Sequence, residues 1–215
     1  MDEFSPRHLI VTGTDTGIGK TVLSAMLVLG LDASYWKPVQ SGLDGETDSE
    51  CVRRLTGVAS GRIIPEAYRL TLPRSPDQSA RHDGIMIDPD LLRLPDAPGT
   101  VIIEGAGGLM VPLSDELLQI DLFARWHAPL VLAARTGLGT LNHTLLSVES
   151  LRARNMPLLG IILIGPEHPG NVRSLERWSN APVLATIPHL ERLDRRELGE
   201  VQTSRLNVKN WGAVS

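Results

Sequence analysis

The chain has a single cysteine, Cys51, so no internal disulfide can form and the usage fits a reducing compartment. Aromatic residues make up only 4%, which leaves the core to Leu, Val, Ile and Ala within a hydrophobic fraction of 42%. No apolar run approaches the ~20 residues of a membrane span. Positive charge is not in excess: 21 Lys and Arg face 25 Asp and Glu, for a net charge of −4, and there is no long basic run. That balance speaks against a nucleic-acid or anionic-membrane surface. Six histidines are scattered without metal-ligand spacing. Signatures of serine hydrolases and of Cys/His nucleophiles are missing, as is the guanine-reading N-K-x-D. Met1-Asp2-Glu3-Phe4 lacks the basic and apolar parts of a signal peptide, so the expectation is a cytoplasmic protein.

What is present is alternation. Short apolar runs predict strands at His8–Thr12, Ser34–Val39, Thr100–Glu104, Pro129–Ala134, Leu158–Ile164 and Val183–Ile187. Between them, helical patterns are expected at Thr21–Leu29, Thr47–Leu55, Pro89–Leu94, Leu117–Trp126, Asn142–Arg154 and Val172–Trp178. Thr47 and Glu50 stand at capping-box spacing. The stretch from Gly57 to Pro89 is irregular and expected to pack around a site; the polar tail from Glu191 should carry one more helix. Near-continuous apolar strands alternating with helices predict an α/β fold, a mostly parallel sheet with helices on both faces. With no linker or repeat, residues 1–215 read as a single domain. Ligands of such sheets bind beyond the C-terminal strand ends. The informative residues fall there: Gly13–Lys20, Lys37, Glu104–Gly108, Arg135–Thr140 and Pro188.

The first strand runs into Gly13-Thr14-Asp15-Thr16-Gly17-Ile18-Gly19-Lys20-Thr21 and then a helical pattern. Strand, glycine-rich turn and helix make a phosphate-binding loop of the P-loop NTPase type. Glycines let backbone N–H groups converge on phosphate oxygens, Lys20 adds a mobile charge, and the Thr21 hydroxyl can hold Mg²⁺. The usual spelling would place its first glycine at position 14; here Thr14 stands there and the glycine sits at Gly13.

A second motif, Glu104-Gly105-Ala106-Gly107-Gly108, ends a buried strand. An acidic residue there is where such proteins place a metal-associated carboxylate, and Mg²⁺ needs only one or two carboxylates beside a hydroxyl and phosphate oxygens. A third motif is Lys37-Pro38-Val39-Gln40-Ser41-Gly42. Lys37, pinned by the following proline, supplies a second cation for a transferring phosphoryl group, and Ser41 a hydrogen bond to a small substrate. Asp48 reads either as a further metal carboxylate or as a helix-start residue favoured by the dipole. Asp96-Ala97-Pro98-Gly99 matches the D-x-x-G of GTPase switches, but it precedes its strand and reads as the turn feeding it.

These motifs, with Leu138-Gly139-Thr140-Leu141-Asn142-His143 as a fourth, together resemble the dethiobiotin synthetase family. The resemblance implies an ATP- and Mg²⁺-dependent ligase: 7,8-diaminopelargonic acid and CO₂ form a carbamate, ATP phosphorylates it, and the second amine closes a cyclic urea. It implies that Lys20 with Gly17, Ile18, Gly19, Thr21 and Val22 holds the phosphates, beside Gly105, Ala106 and Gly107. Thr21, Asp48 and Glu104 would surround the metal, and Lys37 would be the active-site lysine. Thr16 and Ser41 would contact substrate. Gly139, Thr140, Leu141 and Asn142 would take its carboxylate from the partner in a homodimer, and Pro188, His189 and Leu190 would lie beside adenine. The chain departs from the family at Ile164-Gly165, where relatives carry Asn-Asp, and at Asp77, where they show histidine. The alternatives are a related amidotransferase or small-molecule kinase, and a partitioning-type nucleotide switch. The amidotransferase needs a glutaminase half for which the chain has no room, a kinase leaves Lys37–Gly42 unexplained, and the switch needs a lysine where Asp15 stands.

Overall fold

The computed structural model describes residues 5–206, 208 and 211. In chain order the strands and helices are β1 (His8–Gly13), α1 (Lys20–Gly30), β2 (Ser34–Trp36), β3 (Val39–Ser41), α2 (Asp48–Thr56), β4 (Ile63–Ile64), β5 (Tyr68–Leu70), α3 (Pro76–His82), β6 (Val101–Glu104), α4 (Gln119–Trp126), β7 (Leu130–Arg135), α5 (Thr140–Arg152), β8 (Leu158–Ile164), α6 (Pro169–Ser179), β9 (Val183–Ile187) and α7 (Arg195–Arg205).

Seven strands form one sheet in the order β4-β2-β6-β1-β7-β8-β9, and every pair is parallel. Strand periodicity sends alternate residues to opposite faces. In β1, Leu9 and Val11 pack with Leu23, Met26 and Leu27 of α1 and Leu198 of α7, whereas Ile10 packs with Ile120 and Phe123 of α4. In β7, Leu132 and Ala134 meet Val148 of α5 and Leu175 of α6. With apolar layers on both sides, the central strands had to read as continuous hydrophobic runs. β1 lies between β6 and β7, so the glycine-rich turn leaves the middle of the sheet.

The strand expected over Ser34–Val39 is corrected: it breaks at Lys37-Pro38. β2 ends at Trp36, and β3 pairs with β5 in a separate two-stranded sheet. Pro38 has no N–H to continue a ladder, and its carbonyl instead accepts from the N–H groups of Ala67 and Tyr68 at 3.0 and 3.1 Å. The helix expected over Pro89–Leu94 is also corrected, to a 3-10 turn over Pro89–Leu91. Pro95 disfavours helical backbone at the residue before it, which shortens the element. The stretch expected to be irregular carries β4, β5 and α3. The α2 capping box is formed by Thr47 and Glu50, and the tail supplies α7, capped by Asp194. Asp96 sits before β6 in an ion pair with Arg7, in line with a feeding turn.

Candidate active site

Sheet order makes neighbours of residues far apart in sequence. β1 delivers the glycine-rich turn, β6 on one side of it delivers Glu104, and β2 beyond that delivers Lys37. The Thr21 hydroxyl lies 2.7 Å from Asp48 Oδ1 and 3.0 Å from Glu104 Oε1. Lys37 Nζ is 2.8 Å from Asp48 Oδ2, 3.1 Å from Glu104 Oε1 and 3.2 Å from the Gly105 carbonyl. The Tyr35 hydroxyl donates to Glu104 Oε2 at 3.0 Å, so both oxygens of this buried carboxylate are engaged. Lys20 Nζ donates to the Asp15 carbonyl at 2.8 Å, inside the curl of the loop.

Electrostatics separate the two lysines. Burial lowers the Lys20 pKa to about 8, although Glu104 and Asp48 oppose the shift. Burial also disfavours the Lys37 ammonium, but Glu104 and Asp48 outweigh it and raise the pKa above the ordinary lysine value. Asp48 is held below the usual carboxylate range: burial works against its charge, and Lys37 overrides it. Burial, reinforced by Glu104, keeps the Tyr35 phenol protonated. Cys51 lies outside this cluster, and burial pushes its thiol up to about 11, as suits a packing residue.

A cavity of about 530 Å³ opens over the cluster. Of the residues singled out from sequence, Thr16, Gly17, Gly19, Lys20, Thr21, Lys37, Ser41, Asp48, Glu104, Ala106 and Gly107 line it. Ile18 turns into the core and Val22 packs beside it. Gly105 backs the site: a Cβ there would stand 2.8 Å from the Phe123 ring. Gly139, Thr140, Leu141 and Asn142 open α5 outside this cavity, as Pro188, His189 and Leu190 do after β9.

Sequence reasoning missed several supports. Gln119 accepts from the Ala106 N–H at 2.6 Å and donates to the Gly108 carbonyl at 2.8 Å, which fixes the second glycine turn. Arg135 donates to Asp15 Oδ2 at 3.2 Å and to the Thr16 carbonyl at 3.1 Å, fixing the first. Gln40, Arg74 and Ser75 join the cavity wall. Gln119, Arg74 and Ser75 lie outside the motifs, Gln40 stands inside the third with no role assigned to it, and Arg135 is marked in the sequence only by its place at a strand end; the three-dimensional arrangement shows what each one faces. Ile164 abuts the loop, since a Cβ on Gly19 would lie 3.2 Å from its side chain. Gly165, at φ 137°, has no room for a side chain: a Cβ would stand 2.4 Å from Thr136 Oγ1.

The oxygen set of Thr21, Asp48 and Glu104 suits a hard cation such as Mg²⁺. Among the described residues no group of three or more His, Cys, Asp or Glu is placed to hold a metal. An ion at this set would therefore take the rest of its shell from phosphate and water, as Mg²⁺ commonly does.

The family described as an AAA domain matches residues 7–197. An ATP-dependent dethiobiotin synthetase BioD of Rhodopseudomonas palustris (strain BisB5) is 56% identical over 203 residues, covering 94% of this chain and 96% of the relative. The enzyme of the same name from Agrobacterium fabrum is 50% identical over 204 residues, covering 95% and 96%. Among solved structures, a ParA family ATPase from Chlorobium tepidum superposes with a TM-score of 0.57 at 11% identity, covering 93% of this chain and 97% of that one. The septum site-determining protein MinD from Pyrococcus horikoshii, solved with Mg-ADP, gives 0.53 at 12% identity, covering 92% and 95%. At those identities the likeness shows the P-loop fold and nothing finer. No described helix is long and apolar enough to cross a membrane.

Proposed function

The chain belongs to the ATP-dependent dethiobiotin synthetase family, and on that premise we propose how its residues divide the work. The reaction joins CO₂ to a diamine. One amine of 7,8-diaminopelargonic acid bonds to the carbon of CO₂ and loses a proton, giving a carbamate. A carbamate oxygen attacks the γ-phosphorus of ATP and ADP departs. The second amine attacks the activated carbonyl carbon, phosphate leaves, a further proton is released and the cyclic urea closes.

The observation that carries the assignment is the meeting of two lysines, two carboxylates and one hydroxyl at a single cavity over the glycine-rich turn. The backbone of Gly17–Val22 and Lys20 bind the phosphates at the start of α1, where N–H groups are free to donate to an anion. Lys37 keeps its proton, which makes it a fixed cation rather than a base. It stabilises charge that develops as the phosphoryl group moves between ADP and carbamate. Thr16 and Ser41 contact the diamine or its carbamate. Thr21, Asp48 and Glu104 hold Mg²⁺, and the bound ion supplies neutralisation of phosphate charge.

The Gly139–Asn142 turn lies outside the cavity of one chain, and Leu138, Met110 and Leu146 are exposed apolar side chains. This arrangement supports a homodimer in which one protomer's α5 start reaches its partner's substrate, with the helix N-terminus meeting a carboxylate. Pro188, His189 and Leu190 flank the adenine, and the enzyme works in the cytoplasm. The decisive assay is ADP release by the purified protein. It should require both the diamine and bicarbonate; ATP hydrolysis indifferent to the diamine would favour a nucleotide switch instead.

A further inference from the structure

One wall of the reaction cavity has polar groups with no role in the phosphate and cation cluster. Arg74 lines it, exposed, with its backbone N–H donating to the Leu72 carbonyl at 2.9 Å. Among the described residues its guanidinium has no hydrogen-bond or ion-pair partner. Ser41 and Ser75 line the same cavity, and each hydroxyl is buried without a partner. Ser75 occupies the N-cap position of α3 yet makes no capping hydrogen bond, the task a serine there ordinarily performs. The two segments are packed together, since a Cβ on Gly42 would meet Pro73 Cβ at 3.0 Å. Orphaned hydroxyls are costly unless a ligand satisfies them.

We propose that Arg74, Ser41 and Ser75 form a subsite for the carbamate anion carried by the amine substrate before its phosphorylation. The inference rests on the function proposed above and adds Arg74 and Ser75 to it. A carbamate is a planar, carboxylate-like anion, and a guanidinium presents parallel N–H donors that match two such oxygens. Hydroxyls both donate and accept, so Ser41 and Ser75 serve the remaining oxygen lone pairs and the carbamate N–H. The phosphates of ATP have their own donors in the glycine-rich turn and Lys20. The subsite and Lys37 line one cavity, so an anion held there shares that cavity with the lysine that serves phosphoryl transfer. Carbamate formation is reversible: amine and CO₂ give carbamate and a proton. Holding the anion therefore draws the equilibrium forward and delays its return.

Arg74 is exposed, so Arg74→Gln should fold. Steady-state kinetics with the diamine and bicarbonate should give kcat/KM for the diamine lower by roughly 10- to 100-fold, the range for a hydrogen bond to a charged group. The bicarbonate concentration for half-saturation should rise. ADP affinity by calorimetry should stay within about twofold, and Arg74→Lys should restore part of the loss. Ser75→Ala should shift the same parameters in the same direction. A decarboxylated diamine should suffer the same Arg74→Gln penalty. If that penalty vanishes, the guanidinium reads the chain-end carboxylate and the carbamate assignment falls. Unchanged kcat/KM, or an equal loss of ADP affinity, also overturns it. If wild-type protein releases no ADP in response to diamine and bicarbonate, the functional reading and the subsite fall together; if it does and Arg74→Gln matches it, only the subsite falls.

Discussion

Lys37 and Glu104 meet as an ion pair in the interior, Nζ to Oε1 at 3.1 Å, both side chains almost fully buried. One follows β2 and the other ends β6, strands whose register pairs Trp36 with Ile103. Burying two charges is expensive unless each finds partners. Here Asp48, the Gly105 carbonyl, Thr21 and Tyr35 complete the pairing. The pair fixes both groups before any substrate arrives.

Lys37→Ala is expected to lower kcat by about 10²–10³, the loss typical of an electrostatic group acting as charge develops. It also strands Glu104, which should cost about 3–5 kcal/mol of stability. Turnover must therefore be measured per folded protein, with a melting curve alongside. Near-wild-type turnover would remove Lys37 from the mechanism.

Lys20 should make nucleotide binding pH-dependent. Its pKa of about 8 in the free protein means that a growing fraction is neutral as pH rises through 8. Phosphate favours the ammonium, so binding at pH 8.5 should take up protons, seen as calorimetric heats that change with buffer. Lys20→Met should abolish that uptake and weaken ATP binding. The stability sign is opposite. The unfolded chain holds this proton up to about pH 10.5, so below pH 8 the buried charge destabilises the fold, and stability recovers between the two values. Lys20→Met should thus raise the melting temperature at pH 7, by up to about 3 kcal/mol in free energy.

Asp48→Asn and Thr21→Val should each raise the Mg²⁺ concentration needed for ADP binding by roughly tenfold. Calorimetric titrations at fixed nucleotide and varied Mg²⁺ read this directly. A nucleotide-bound structure with metal present and both Asp48 and Glu104 turned away would refute the assignment.

Nucleobase selectivity should be loose. Discrimination needs polar groups that one base satisfies and another leaves unpaired. Ile164 offers only apolar contact beside Gly19, and Gly165 has no space for a side chain. GTP or CTP should support turnover within roughly tenfold of ATP, a gap of about 1.4 kcal/mol. Comparing kcat/KM for the four nucleotides tests it; an ATP preference above about a hundredfold would reveal a reader elsewhere.

Leu138→Asp should favour monomers in sedimentation and depress diamine turnover while sparing ADP affinity. Leu138 is fully exposed in the single chain, and a charge there has no cost unless a partner covers it. Unaltered sedimentation would place the dimer contact elsewhere.

The sequence by itself determined the layered α/β fold. Runs such as Leu158–Ile164 are apolar throughout because both faces of a parallel sheet are covered, and that pattern survives without knowledge of neighbours. It also determined the glycine-rich turn and the Thr47–Glu50 cap, and it marked Lys20, Lys37 and Glu104 as candidates, since each of these depends on residue type at short spacing. Tertiary structure alone decided the rest. Strand order β2-β6-β1 brings Lys37, Glu104 and Thr21 within hydrogen-bond reach across more than eighty residues of chain. Pro38 reads locally as the end of an extended run; its transfer of β3 to a second sheet depends on β5, a partner that local pattern does not reveal. Asp48 had two readings until its distances to Thr21 and Lys37 joined it to the cluster. Gln119 and Arg74 carry no local signature, and Arg135 is marked only by its place at a strand end, because a side chain that acts across the fold is defined by what it faces and not by its sequence neighbours.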